Sequence, residues 1–206
     1  MKIFKIFKQT LLTFAIVGCC AVGVTAEAAS PVETYKEWDP ALQEYTKTIC
    51  SEYNVDYPLA LAVIYNESRF QSGLTHLNSN GTTDYGLMQV NEVNYLFLHK
   101  NLGINSMSEL LQDEVGIKCG VYLLSYHKQY TNDDSKALLR YQIGEGAYRK
   151  YMRSGRHTNS THTKVWEYRN EFDAYQQMIQ ERELISAEKR FQTIIHRWAT
   201  TFIKPV

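Results

Sequence analysis

Asp56-Tyr57-Pro58-Leu59-Ala60-Leu61-Ala62-Val63-Ile64-Tyr65-Asn66-Glu67-Ser68-Arg69-Phe70 opens on a capping carboxylate, sets a proline in the first helical turn, and runs through an apolar stretch to an acid. An Asp N-cap followed by an early Pro marks a helix start. Counted in threes and fours, Ala60, Ile64 and Glu67 or Ser68 share one side, so the predicted helix delivers the Glu67 carboxyl from its apolar face at the C-terminal end. Apolar surroundings and the negative end of a helix both favour the neutral acid. Further on, Asn78-Ser79-Asn80-Gly81 is a hairpin signal, and it sets Asp84 on a short, wetter strand where a carboxylate is expected to keep its charge. A neutral acid beside a charged one suits the cleavage of glycosidic bonds. That reaction needs a proton donor for the leaving oxygen and often a second carboxylate for the oxocarbenium-like centre.

Outward from this pair the pattern is mainly helical. Helices are expected over Ala41–Tyr53, Pro58–Ser68 and, most clearly, Glu114–Tyr130, where Val115, Cys119, Tyr122 or Leu123, and Tyr126 recur at helical spacing and suggest the central core helix. Shorter ones are expected over Val93–Leu98, Met107–Gln112, Lys136–Tyr141 and Ala147–Met152, with Gly144 to Gly146 as a break. A last helix begins near Lys164. The fold class is α+β, predominantly α-helical, with a small β-hairpin region beside the acid-bearing helix.

Three stretches then stand in order: Glu67-Ser68-Arg69-Phe70, Gly86-Leu87-Met88-Gln89 and Arg140-Tyr141-Gln142-Ile143-Gly144-Glu145-Gly146. Together they resemble the three-part signature of the soluble-type lytic transglycosylases, members of the lysozyme-like superfamily, over roughly Trp38 to Tyr175. The resemblance implies a lysozyme-like fold, no cofactor, and peptidoglycan glycan strands as the polymer acted on. It implies Glu67 as general acid and base, Gln89 and Tyr141 lining the saccharide groove, and Ser68 as a polar neighbour of the sugar. The third stretch departs from the family's usual Ala-Tyr-Asn-x-Gly, with Arg140 for Ala and Gln142 for Asn. Gln142 is still a candidate to hold a loop or a sugar. The segment Gly81 to Asn91, with Asp84 inside it, also resembles that of animal C-type lysozymes in which an Asp partners the catalytic Glu.

Two chemistries therefore fit. In a lytic transglycosylase the muramic acid's own C6 hydroxyl attacks, leaving a 1,6-anhydro end, and one carboxyl serves as acid and then base. In a muramidase a second carboxylate, here Asp84, stabilises or traps the sugar before water attacks. A non-catalytic glycan-binding scaffold is the reading from another class. It has no need of the proton donor that Glu67 provides.

The ends of the chain set its context. Lys2, Lys5 and Lys8 precede an apolar run and Ala26-Glu27-Ala28, the pattern of a signal peptide over residues 1–28. Ile16-Val17-Gly18-Cys19 also resembles a lipobox, which would make Cys19 a lipid anchor; either route exports the protein, as a secreted, cell-surface or periplasmic species. Residues 29–40 are expected to be a linker, 41–177 the domain, and 178–206 a C-terminal helical extension packing back on it, with a docking helix for a cell-envelope assembly as the other reading. The service of a secretion or conjugation machine is analogy alone.

Residues 29–206 carry 19 basic and 21 acidic side chains, a formal charge of −2, which gives no reason to expect a nucleic-acid partner. Substrate grip is left to hydrogen bonds and aromatic faces, for which the 15 tyrosines are well suited. Cys50 and Cys119 are the cysteines beyond the leader, as a disulfide or as two buried thiols. The six histidines form no metal-binding motif, and His157 and His162 are expected on the surface.

Overall fold

The structure is a computed structural model that describes residues 29–155 and 160–202. The leader over 1–28, with Cys19, and His157 lie outside the described residues. Seven α-helices occur among the described residues: α1 (Pro31–Glu37), α2 (Pro40–Glu52), α3 (Tyr57–Ser68), α4 (Tyr95–Leu102), α5 (Asp113–Thr131), α6 (Asp134–Ser154) and α7 (Ser160–Phe202), with short 3-10 helices at Glu92–Asn94 and Met107–Leu111. Between α3 and α4 lies an antiparallel sheet in the order β1 (Thr75–Leu77), β2 (Thr83–Tyr85), β3 (Val90–Asn91).

The expected start of α3 is present: the Asp56 side chain accepts from Leu59 N at 3.2 Å, and Pro58 sits in the first turn. Its burial, however, is not confined to one face. Leu59 to Ile64 are 0 to 2% exposed, so α3 is wrapped on all sides and forms the core helix itself. The partner that completes this wrapping is α7, with α2 alongside. Val165 and Phe172 of α7 are fully buried, and Arg169 reaches across to the α3 cap, its Nε 2.8 Å from Asp56 Oδ2. The amphipathic α5 instead packs between α2 and α6 and carries the segment before it.

The linker expected over 29–40 is part of the domain. Ser30 caps α1, and Tyr35 and Trp38 are buried at 6 and 7% exposure. Their rings meet Phe70 at centroid distances of 6.1 and 4.7 Å, and Tyr35 also meets Phe172 at 5.8 Å. Burying three large aromatics offsets the entropy of ordering the segment, which hydropathy along a short polar-flanked stretch did not reveal.

The C-terminal extension is corrected in the opposite sense. α7 packs on the domain only through about Ile179, and every residue from 181 to 198 is exposed. It does not fold back.

One smaller expectation also shifts. The Asn80-Gly81 turn belongs to a longer loop, closed by Asn78 N to Thr82 O at 2.8 Å, with Gly81 at φ 84°. The expected break after Tyr141 is present: Gly144 has non-helical backbone (φ 72°, ψ 165°) and divides α6 into two helical pieces that meet at a kink. Cys50 and Cys119 are buried free thiols, each pushed up to about 12 chiefly by desolvation.

Candidate active site

The first sequence motif acts as a helix terminator. Arg69 and Phe70 both adopt left-handed backbone, at φ 54° and 61°, which stops α3 at Ser68. Such conformations are unfavourable for side-chain-bearing residues and persist where packing holds them. Here Arg69 donates through Nη1 to Tyr65 O at 2.9 Å and lies 4.1 Å over the Tyr65 ring, while Phe70 is buried against Trp38. The helix therefore ends where Glu67 can emerge into a cleft of about 580 Å³ facing the sheet, within the size range of small-molecule sites.

Asp84, Gln89, Tyr141 and Gln142 line the same cleft as Glu67. Ser68 does not. It is 4% exposed and donates to Ile64 O at 3.0 Å, so its hydroxyl is spent inside the helix rather than beside a sugar.

Burial raises the Glu67 carboxyl to about 7; the nearby Asp84 charge adds to the rise, and a hydrogen bond from Asn66 Nδ2 at 3.1 Å opposes it. Asp84 stands on β2 in register with Asn91 of β3. Asn91 Nδ2 donates to one of its oxygens at 2.6 Å and Asn78 Nδ2 to the other at 2.9 Å. Both carboxylate oxygens are thereby held in place.

Gln89 turns the chain at φ 45° and gives its amide nitrogen to Gly86 O at 2.8 Å and Leu74 O at 3.3 Å. Its amide oxygen is the end the backbone does not engage. Tyr141 donates to Met88 O at 2.7 Å, tying α6 to the second motif; burial, with the Glu67 and Asp84 charges, keeps its phenol protonated.

Gln142 is held from α7. Trp166 Nε1, a donor only, points to His162 Nε2 at 3.1 Å, so that nitrogen accepts and Nδ1–H donates to Gln142 Oε1 at 3.3 Å. His162 is thus a half-buried bridge between α7 and the third motif, not a solvated surface residue.

Sequence reading missed several groups in or beside this cleft. His127 of α5 lines it and is lowered to about 4 by burial and by Arg140, so it is neutral at working pH. Asn78 and Asn91 escaped because only strand register brings them to Asp84. Arg140, noted only as a departure, is 5% exposed, lies 4.0 Å over the Tyr130 ring and pairs through Nε with Glu145 beyond the Gly144 kink. Glu145 also pairs with the exposed Arg149, and these two hydrogen bonds hold its carboxyl below the usual range despite a desolvation penalty. Arg140→Ala is expected to cost about 2–3 kcal/mol, through a lost buried stem and a lost ion pair. Chemical unfolding monitored by far-UV circular dichroism measures it.

A helix-borne acid facing a small antiparallel sheet inside a helical domain is the architecture of lysozyme-like glycosidases. Residues 44–163, more than half the chain, match the family described as the transglycosylase SLT domain, and the chain belongs to that family of peptidoglycan-cleaving enzymes. It is 33% identical to lysozyme c-1 of Anopheles gambiae over 129 residues, covering 60% of this chain and 82% of that protein. It is 31% identical to the invasion protein IagB of Salmonella typhimurium over 116 residues, covering 56% of this chain and 68% of that one. A solved lytic transglycosylase Slt from Pseudomonas aeruginosa overlaps at TM-score 0.47 and 21% identity, covering 62% of this chain and 21% of its own, too loosely to carry an argument. Among the described residues no helix is long and apolar enough to cross a membrane.

Proposed function

We propose that the protein is an exported lytic transglycosylase that cleaves the β-1,4 bond between N-acetylmuramic acid and N-acetylglucosamine, with Glu67 as the single acid and base. The observation that carries this is the Glu67 carboxyl raised to about 7 in a cleft it shares with Asp84, Gln89 and Tyr141. Protonated Glu67 gives its proton to the glycosidic oxygen as the C1–O bond breaks. The C6 hydroxyl of the same muramic acid then closes on C1, and its proton returns to Glu67. The products are a 1,6-anhydro end and a free 4-hydroxyl, with no water consumed.

Asp84 has an electrostatic part in this scheme. Its oxygens are engaged by Asn78 and Asn91, which supports a fixed negative charge near the oxocarbenium-like centre over a nucleophile that must swing to C1. Gln89 and Gln142 take sugar hydroxyls or N-acetyl groups, and Tyr141 shapes the wall.

Hydrolysis is the second reading, favoured by the presence of Asp84 as a second carboxylate in the Glu67 cleft and by the 33% identity to a lysozyme. Mass spectrometry of soluble muropeptides released from purified peptidoglycan by the chain from residue 29 separates the two. Products lighter by one water and lacking a reducing end are expected; reducing muramic ends would instead assign Asp84 the second catalytic role. We also propose that cleavage serves a cell-envelope machine, a reading consistent with likeness to an invasion protein.

A further inference from the structure

Asn66 sits in the last turn of α3, the first residue after the buried run from Leu59 to Tyr65 that is only half-buried. Asparagine is a poor choice inside a helix, because its side chain competes for backbone hydrogen bonds. Here that side chain is turned to the neighbouring acid. Asn66 Nδ2 donates to Glu67 Oε1 at 3.1 Å, and Glu67 lines the cleft. An amide nitrogen can only donate, so the oxygen it meets is a bare acceptor whether the carboxyl is protonated or ionised. When Glu67 carries its proton, that proton is therefore on Oε2.

The bond differs in strength between the two states of the acid. A hydrogen bond to an ionised carboxylate is shorter and roughly twice as strong as one between neutral partners, so this one tightens as the proton leaves. Of the influences that favour the ionised carboxyl, Asn66 is the largest, ahead of the Arg69 charge, while burial and the Asp84 charge oppose it. The other titratable groups facing this region are neutral or paired. Tyr141 of α6 stays a phenol and His127 of α5 a neutral imidazole; Arg140 pairs with Glu145, and on the α7 side Arg169 pairs with Asp56 at the far end of α3. Resting on Glu67 as the acid of the proposed reaction, we infer that Asn66 is its positioning residue. It keeps Oε1 bare, so that a single oxygen, Oε2, gives its proton to the glycosidic oxygen as the C1–O bond breaks and takes one back from the C6 hydroxyl as that oxygen closes on C1. The amide thereby stabilises the carboxylate at the moment the reaction creates it.

Asn66→Ala tests this, since alanine is the best helix former and leaves the domain folded. Carboxyl-carbon NMR of Glu67, identified as the signal missing from Glu67→Gln, follows its protonation with no substrate present. In Asn66→Ala the titration midpoint is expected to move to higher pH by about one pH unit. In Asn66→Asp, which puts a carboxylate where the donor stood, it should move at least as far. On soluble glycan strands, kcat of Asn66→Ala below the midpoint should fall about three- to ten-fold with KM unchanged, and the upper limb of the pH profile should follow the NMR midpoint upward. A midpoint that Asn66→Ala leaves in place would overturn the inference. So would a lowered one, which would mean that the amide oxygen receives the acid's proton, or a raised KM with kcat intact. Reducing ends among the products would remove the transglycosylase reading and leave Asn66 its part, because hydrolysis draws on the same acid.

Discussion

Glu67→Gln is expected to lower the rate of glycan cleavage by about a thousand-fold or more, the scale of a lost general acid together with its return as base, while leaving the fold intact. The amide is nearly the same shape as the acid and can still take the hydrogen bond from Asn66 on its oxygen. The same substitution should reveal the strain of burying this carboxyl. Its folded value of about 7 lies above the ordinary 4.5, so the native state binds the extra proton. The stability Glu67 contributes is complete below pH 4.5 and is lost as pH rises through about 7. Glutamine never ionises, so above neutrality the variant should be the more stable protein, by on the order of 2–3 kcal/mol at pH 8. Thermal unfolding of both proteins should coincide near pH 4, diverge as pH rises from 4.5 to about 7, and keep that gap above it. Wild-type cleavage should fall over the same upper range as the acid loses its proton. A variant that keeps the wild-type rate would remove Glu67 from the chemistry.

Gly86→Ala should be the most damaging of the small substitutions. Gly86 has φ +72°, and a Cβ there would lie 2.1 Å from the Leu110 carbonyl oxygen. That oxygen is backbone, fixed ahead of α5, and has no rotamer by which to move away. The left-handed conformation adds about 1 kcal/mol for a residue with a side chain, and displacing backbone brings the expected loss to about 4 kcal/mol or more. The shift would pass to both neighbours in the cleft, since Gly86 accepts from the Gln89 amide and follows Asp84 by two residues. Gly81→Ala is the control. At φ +84° a Cβ there meets nothing within 4 Å, so only the conformational cost of about 1 kcal/mol should appear. Urea unfolding of the three proteins gives the comparison, and a Gly86→Ala chain as stable as the Gly81→Ala chain would refute the steric account.

The acid-bearing helix, its cap and the strand carrying Asp84 were legible because each rests on local signals: an Asp-x-Pro start, an apolar run, an Asn-Gly turn. What escaped depends on residues far apart in the chain. Nothing near Tyr35 or Trp38 announces that Phe70 and Phe172 will cover them. Gly116 and Gly120 of α5 have a similar hidden role. Side chains there would meet Leu110 O at 2.5 Å and the Met88 sulfur at 2.3 Å, so two small residues four apart let the second motif rest directly on helix backbone. Their spacing was visible in the sequence, but not what approaches them. Ser68 misled for a related reason: it follows the acid in the motif, yet the helix turns it inward. In the final helix an amphipathic pattern reads the same whether the apolar side meets the domain or stands free.

The closing of α3 by α7 also has a consequence for the order of assembly. The helix that bears Glu67 is complete early in synthesis, but the residues that bury it, Val165 and Phe172, and the Arg169 that clamps its cap, come about a hundred positions later. Contacts so distant in sequence form slowly and only after the intervening chain is available. A nascent chain that ends before α7 therefore leaves the Glu67-bearing helix without its cover. That helix takes its packed place only with the last one, after the rest of the domain has been made.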